Sequence, residues 1–499
     1  GLKTEFVGFA NFRRLFGEGA LTAAFIPIYT RLREDDDAAA RRFAWVVVSG
    51  LVVLLAGITI LGEIALWALG ARAGWSKEAA LAIRLTMIML PYMPLVCLVA
   101  VLGGMLQIRG RFGPAASAPI LLNLAMIGAA VGVARGGAGE GGIVIVAASV
   151  VAAGIAQLVW QLVPLWPERP FARRGGSVRE PAVRMMRMMG PMVIGLAVFQ
   201  INVLMDSLIA MALSPKTGSG ETLTLLGRTM AYPIAEQGAV ASLELAQRLY
   251  QFPLGVFGIA LATAIFPVLS LAAARERKPL EGAQPSPDYA TILRNGVRLS
   301  LFIALPATAG LMLVRLLMVR VLFEHGKVGL DDSMRTAGIL TGYAAGVWAY
   351  SLTHVLTRGY YALEDSVTPL RVSMVMMVIN LALNLTLVWP LGAAGLAWST
   401  AACAAAQTLL LAALLARRGR LAIDAALVRG LGRTAALTVV MAVAVGGAAW
   451  AMDSQAVSVA RAAAHLTLLV GLGGLVYAAG AWLSGAEEMR WLLRRRVGT

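Results

Sequence analysis

Apolar runs long enough to cross a bilayer, about 18–30 residues for most of them, recur thirteen times in this sequence and dominate what it can fold into. Inside hydrocarbon no water satisfies the backbone, so a span of that length must close its own hydrogen bonds, and a helix does so within one segment. The runs cover 12–32, 43–71, 78–107, 115–135, 142–166, 186–213, 239–274, 291–323, 334–362, 368–390, 392–417, 429–452 and 459–484. Run 239–274 is too long for one straight span, and Pro253 and Gly255 mark its predicted break, because proline lacks the amide hydrogen that continues a helix. With 59% hydrophobic residues and 14% charged ones, the chain exceeds what a soluble domain can bury. The predicted fold class is an all-α polytopic membrane protein.

The formal charge of +16 would suggest nucleic acid in a soluble protein. Here the basic residues fall between apolar runs, in every second loop: Arg31, Arg33, Arg41 and Arg42; Arg109 and Arg111; Arg169, Arg173, Arg174 and Arg179; Arg275, Arg277 and Lys278; Arg371; Arg417, Arg418 and Arg420. Arg490 and Arg494 to Arg496 add a basic tail. That alternation predicts cytoplasmic basic loops facing anionic lipid, a cytoplasmic C-terminus, and no nucleic-acid partner. It also places residue 1 outside, although no leader is visible, so a preceding first span is predicted to be missing. Cys97 and Cys403 lie far apart in apolar runs and make neither a disulfide framework nor a metal motif.

The segment ALTAAFIP at 20–27 returns as ALATAIFP at 260–267, about 240 residues later. A weaker echo links GPAASAPILLNLAMIG at 113–128 to TPLRVSMVMMVINLAL at 368–383, each a proline turn followed by a span with an asparagine, Asn123 or Asn380. Repeats in the same order and at similar offsets predict two pseudo-symmetric helical lobes around a central cavity, the layout of a transporter. The expected divisions are an N-lobe at 1–175, a C-lobe at 176–424, and two further C-terminal helices with the basic tail at 425–499.

Polar residues within the apolar runs are the candidates for function. Arg13, Arg14 and Glu18 sit where the first run begins. Snorkelling to headgroups, with Glu18 paired to Arg14 one turn back, is the structural alternative. Arg248 precedes the second copy of the repeated segment; an ionised arginine in hydrocarbon costs roughly 3 kcal/mol or more, so such residues usually face a wet cavity. Its structural alternative is an ion pair with Glu244. Paired guanidinium forks suit a phosphate or diphosphate. Asp206, Asn380, Asn384 and Thr400 offer oxygen to a hard cation, or hydrogen bonds between helices. Asn380 and Asn384 share one helix face. The acidic EDDD at 34–37 reads as a solvated loop, and His325, His354 and His465 are too scattered for a metal site or a triad.

Several long motifs resemble one family. FRRLFGEGALTAAFIPIY at 12–29, RGRFGPAASAPILLNLAMIG at 109–128, MMGPMVIGLAVFQI at 188–201 and QRLYQFPLGVFGIALATAIFPVLS at 247–270 are similar to the lipid II flippase MurJ (MviN) family, within the multidrug/oligosaccharidyl-lipid/polysaccharide exporter superfamily. LFEHGKV at 322–328 and RGYYALEDSVTPLRV at 358–372 add to the likeness. The resemblance implies fourteen spans, two six-helix lobes and two extra helices lining a groove for a lipid tail; the first run here corresponds to the family's second. It implies that Arg13, Arg14, Glu18 and Arg248 serve substrate binding in a cationic cavity, with Gln251 where some members carry a glutamate. It further implies a sodium site from Asp206, Asn380, Asn384, Leu396 through its carbonyl, and Thr400, in which Asn384 replaces a carboxylate and should weaken the cation.

The expected function is therefore to flip an undecaprenyl-diphosphate-linked peptidoglycan precursor from inner to outer leaflet of the bacterial inner membrane by alternating access. The chain would act as a monomer without enzymatic chemistry or a required cofactor, sodium aside. The alternatives are an exporter of another lipid-linked saccharide or a drug, a membrane enzyme acting on polyprenyl substrates, and a non-transporting scaffold. The arginines oppose a cationic drug, and the enzyme would need clustered carboxylates that the sequence does not show.

Overall fold

The computed structural model describes residues 21–493 apart from short stretches at 72–76, 137–138, 169–170, 173–176, 216–221, 226–227, 235–237, 278–287, 326–327 and 453–457. Almost every described residue is helical. The helices are α1 (Leu21–Asp35), α2 (Asp37–Gly70), α3 (Lys77–Met89), α4 (Tyr92–Ile108), α5 (Gly113–Gly136), α6 (Gly139–Leu165), α7 (Arg179–Ala212), α8 (Ala239–Pro253) and α9 (Ala260–Arg277). They continue as α10 (Tyr289–Phe323), α11 (Leu330–Ala345), α12 (Val347–Ala362), α13 (Val367–Leu391), α14 (Ala393–Arg417), α15 (Ala425–Ala451), α16 (Val459–Leu483) and α17 (Glu487–Leu493). Among the described residues the strands are β1 (Thr222–Leu225) and β2 (Arg228–Ala231), an antiparallel hairpin in the connection between α7 and α8. Among the described residues, eleven helical segments are long and apolar enough to cross a membrane, Ile83–Ile108 and Ala239–Glu276 each running through two of these helices. The chain is thus an α-helical, multi-pass membrane protein.

Contacts divide the chain into two units. Unit 1 holds the residues up to Ala197, with Ala273–Arg277 and Tyr361–Val367; unit 2 holds Val198–Ala272, Lys278–Tyr360 and Thr368–Thr499. In unit 1, α4 packs on α1, α2, α5 and α6. Phe25 of α1 stacks on Tyr29 and on Phe43 of α2, with centroids 5.0 and 5.6 Å apart. In unit 2, α10 packs on α11, α15 and α16, and α11 on α8 and α14. Leu340, Tyr343, Leu396 and Ala397 form the centre of its core.

The long run at 239–274 breaks where its proline predicts. Helix α8 ends at Pro253, Leu254–Ile259 forms a π-helical turn, and α9 follows. Pro253 cannot donate to the carbonyl of Leu249, and a wider turn absorbs the mismatch. Gly258 lies in that turn, where a Cβ would stand 3.0 Å from the Cα of Ser351 in α12. The run at 334–362 proves to be two helices, α11 and α12, with a turn at Gly346. The run at 78–107 is likewise α3 and α4, parted at Leu90–Pro91. The acidic stretch 34–37 is the junction of two helices and not a loop: Glu34 and Asp35 end α1, and the Asp36 carboxylate accepts from the amides of Ala38 at 2.9 Å and Ala39 at 3.2 Å and so caps α2.

The two copies of the repeated octapeptide have the same packing role. Ala24, Phe25 and Ile26 are buried in α1 of unit 1, and Ile265 and Phe266 are buried in α9 of unit 2. The second echo diverges, for Asn123 is exposed on α5 while Asn380 is buried on α13.

Candidate functional site

Arg13, Arg14 and Glu18 lie outside the described residues. Arg248 is on α8, whose buried face is made by Ala239, Ser242, Leu243, Ala246, Leu249 and Tyr250. Arg248 falls on the opposite, exposed face, six residues before the π-helical turn, and Gln251 is half-buried one turn along. Among the described residues Arg248 makes no ion pair, so the alternative of a Glu244 partner is not realised. The neighbouring Gln247 is engaged instead, its Nε2 donating to the Tyr343 hydroxyl at 3.1 Å. Tyr250 stacks on Tyr343 and tilts against Tyr350, centroids 5.0 and 5.2 Å apart, which fixes the α8 face behind Arg248.

The residues predicted as a cation site do come together in unit 2. Asn380 and Asn384 project from one face of α13, and Leu396 and Thr400 come from α14. Gly392, at φ +57°, makes the tight turn between these helices. At Gly395 the helices approach so closely that a Cβ would stand 2.3 Å from the Leu387 carbonyl oxygen. Asp206 enters from α7. The Asn384 Nδ2 donates to Asp206 Oδ1 at 2.6 Å and to Asn380 Oδ1 at 3.1 Å. The Thr400 hydroxyl, which accepts from Asn380 Nδ2 at 3.5 Å, lies 3.3 Å from Asp206 Oδ2 and 2.9 Å from the Leu396 carbonyl oxygen. Ser399, missed in the sequence, closes the ring: its hydroxyl bonds to Asn384 Oδ1 and lies 2.9 Å from the Leu396 carbonyl. Asp206, Asn380, Asn384, Leu396 and Ser399 are all buried, and Thr400 is half-buried.

Tested against a cation, this arrangement does not fit. A hard cation takes several oxygens at about 2.3–2.6 Å. The oxygens are present, yet a donor, the Asn384 amide nitrogen, lies between two of them. Turning that amide over would set its oxygen against Asp206 Oδ1 and Asn380 Oδ1, with no donor to relieve the contact. The orientation is assigned from the network, in which the nitrogen faces two acceptors and the oxygen faces the Ser399 hydroxyl. Among the described residues no group of three or more histidine, cysteine, aspartate or glutamate side chains could hold a metal.

A second charged cluster, in unit 1, joins residues that the sequence shows only apart, Glu364 in the 358–372 motif and Arg31 in a basic loop. Glu364, between α12 and α13, has φ +64° and a buried side chain. Its carboxylate meets Arg31 of α1, Nη1 to Oε1 3.5 Å, and pairs with Arg184 of α7. A cavity of about 480 Å3 opens beside it, lined by Glu180, Arg184, Arg187, Leu363, Glu364 and Ser366. Nearby in the chain, Arg275 of α9 pairs with Glu34 of α1 at 3.6 Å. Sequence separations of more than 300 residues between Arg31 and Glu364 leave no local pattern to read.

Comparison with known proteins agrees with the fold and with the motifs. The family model described as lipid II flippase MurJ matches residues 6–461. The probable lipid II flippase MurJ of Vibrio cholerae serotype O1 is 31% identical, over 98% of this chain and 90% of its own length. That of Rhizobium meliloti is 30% identical over 98% and 87%. The lipid II flippase MurJ of Burkholderia cenocepacia is 28% identical over 82% and 75%. A solved lipid II flippase MurJ in an inward closed conformation superposes with a TM-score of 0.59 at 19% identity, covering 99% of this chain and 92% of that one. An outward-facing multidrug resistance MATE transporter of the MOP superfamily gives 0.65 at 14% identity, with 87% of each chain covered. The chain belongs to the lipid II flippase MurJ family.

Proposed function

We propose that this protein is a lipid II flippase, a multi-pass inner-membrane transporter that carries undecaprenyl-diphosphate-linked peptidoglycan precursor from the inner to the outer leaflet. The observation that carries the reading is the family match across nearly the whole chain, on a fold made of spanning helices. Arg248 supports it chemically. It is exposed on a membrane helix, free of a carboxylate partner among the described residues, and set beside a π-helical turn. A guanidinium in that state grips a diphosphate bidentately. Arg13, Arg14 and Glu18 would join it, with Gln251 one turn from Arg248. The two halves would rock to expose the headgroup first to one side and then to the other. The chain would work as a monomer with its C-terminus in the cytoplasm. No bond is made or broken in that cycle, so no catalytic residue is assigned.

The test is complementation of a bacterium depleted of its own flippase. The wild-type chain should restore growth. Arg248→Ala and Arg13→Ala should not, at equal membrane abundance by immunoblot. Rescue by both variants would remove the headgroup assignment, and failure of the wild type would remove the flippase reading.

A further inference from the structure

The site made by Asp206, Asn380, Asn384, Leu396, Ser399 and Thr400 has the oxygens of a cation site and an amide nitrogen in the middle of them. We infer that the Asn384 NH2 group takes the position of the cation, so that this chain closes the site with its own donor and binds no sodium there. The residue that sets this behaviour is Asn384, and the inference concerns binding alone; it stands or falls independently of the substrate proposed above.

Three features of the geometry support it. First, the amide's donors and acceptor are all used. Its two hydrogens face Asp206 Oδ1 at 2.6 Å and Asn380 Oδ1 at 3.1 Å, and its oxygen meets the Ser399 hydroxyl. An asparagine side chain has two donor hydrogens, and here each has an acceptor. Second, the amide and a cation exclude one another. To ligate a cation, Asn384 must present oxygen, and that rotation puts three oxygens face to face in a site where Asn384 and Ser399 are fully buried. The rotation forfeits the hydrogen bonds to Asp206 and Asn380, whose lost partners are expensive in a dry setting. Third, the carboxylate does not need the ion for its hydrogen bonds. Asp206 Oδ1 accepts from the amide, and Thr400 lies within reach of Oδ2 at 3.3 Å. The amide thus supplies the positive end of a dipole where a full charge would otherwise be required.

The same geometry says how to reverse the behaviour. Asn384→Asp keeps the side-chain shape and replaces the NH2 group by a second oxygen. Two carboxylates then face each other across the space the amide hydrogens filled, and either a shared proton or a cation must relieve the contact, so the test is made at alkaline pH, where proton sharing is disfavoured. The variant should therefore acquire sodium binding.

The experiment uses the purified full-length chain in detergent, with the unfolding temperature measured in sodium chloride and in choline chloride at equal ionic strength. A ligand that binds only the folded state raises that temperature with its concentration. Wild type should show the same value in both salts. Asn384→Asp should unfold several degrees higher in sodium than in choline, or fold only in sodium, and the further change Asp206→Asn should abolish the difference. A sodium-specific rise in wild type, lost in Asp206→Asn, would overturn the inference. So would an Asn384→Asp chain that folds equally in both salts or in neither, because either result means that the amide is not the stand-in for an ion.

Discussion

Glu364 offers the sharpest quantitative test of how the chain is held in the state observed. Glu364→Gln preserves the size of the side chain and the φ +64° backbone already adopted by a non-glycine residue, and removes only the charge. Two arginines lose their partner. The carboxylate side chain is 8% exposed, while Arg31 and Arg184 are 23% and 37% exposed. An exposed ion pair contributes about 0.2–1 kcal/mol, and breaking a buried one costs about 3–5 kcal/mol. With one buried carboxylate and two partly wet arginines the loss falls between these limits, at about 2 kcal/mol. Since about 1.4 kcal/mol is a factor of ten in population, local opening of the 361–367 turn should become roughly 30-fold more frequent.

Ser366 reports that opening. It is buried beside Glu364 and lines the same cavity. A single cysteine at Ser366, in a background with Cys97 and Cys403 replaced by alanine, would react with a maleimide only when the turn leaves its seat. Both native cysteines are buried, so their removal leaves no competing thiol. The labelling rate of the detergent-purified protein should rise by the same roughly 30-fold on adding Glu364→Gln, and by less on adding Arg31→Gln, which leaves the Arg184–Glu364 pair in place. An unchanged labelling rate would refute the reasoning, since it would mean the turn is held by packing and not by charge.

Three other outcomes are expected. Gly258→Ala forces a Cβ to 3.0 Å from the Ser351 backbone, which cannot move aside as a side-chain tip could, so thermal unfolding should show a loss of about 1–3 kcal/mol. Arg298→Ala removes a buried guanidinium that donates to Glu488 and Glu487 at 2.8 Å each and lies 4.9 Å over the Trp491 ring; α17 should become susceptible to protease with a cost of about 3 kcal/mol, partly limited by the remaining Arg433–Glu488 pair. The Arg298 hydrogen bond holds the Glu487 carboxyl below its ordinary 4.5. A depressed folded value means the contribution is complete above pH 4.5 and is lost as pH falls through the lower folded value, so Trp491 fluorescence should report loosening of α17 only under acid, and Arg298→Ala should erase that dependence.

The parts of this fold that were legible in sequence are those fixed by local physics. Apolar runs mark the spanning helices because no polar segment can cross hydrocarbon, and Pro253 marks the break in 239–274 because its missing amide hydrogen acts within one turn. Gly346 was not legible as a break, because an apolar run looks the same whether one helix or two carry it. The Asp36 cap was not legible because the four successive acidic residues at 34–37 offer several equivalent capping carboxylates, and only the position of the helix start selects one of them. Charge pairs were the hardest to read. Asn380 and Asn384 showed their shared face through the i, i+4 spacing, Asp206 and Thr400 stood out as polar residues within apolar runs, and the family likeness gave Leu396; nothing in spacing announced Ser399 or joined Arg31 and Arg184 to Glu364.

The two internal echoes explain why packing and chemistry part company. In 20–27 and 260–267 the shared letters are apolar, and both copies bury Phe and Ile against their own unit. A buried methyl or ring needs only volume and dryness from its neighbours, and a repeated backbone supplies both. The asparagines in the second echo need more. Asn380 is buried because its oxygen accepts from Asn384 and its nitrogen donates to Thr400, and those partners come from α14 as well as from its own helix. Asn123 is exposed on α5 with no such ring around it. A duplicated segment therefore reproduces its hydrophobic seat from its own residues, whereas a polar site exists only where separate helices supply the matching groups, and a change at one position such as Asn384 redefines what the whole ring can hold.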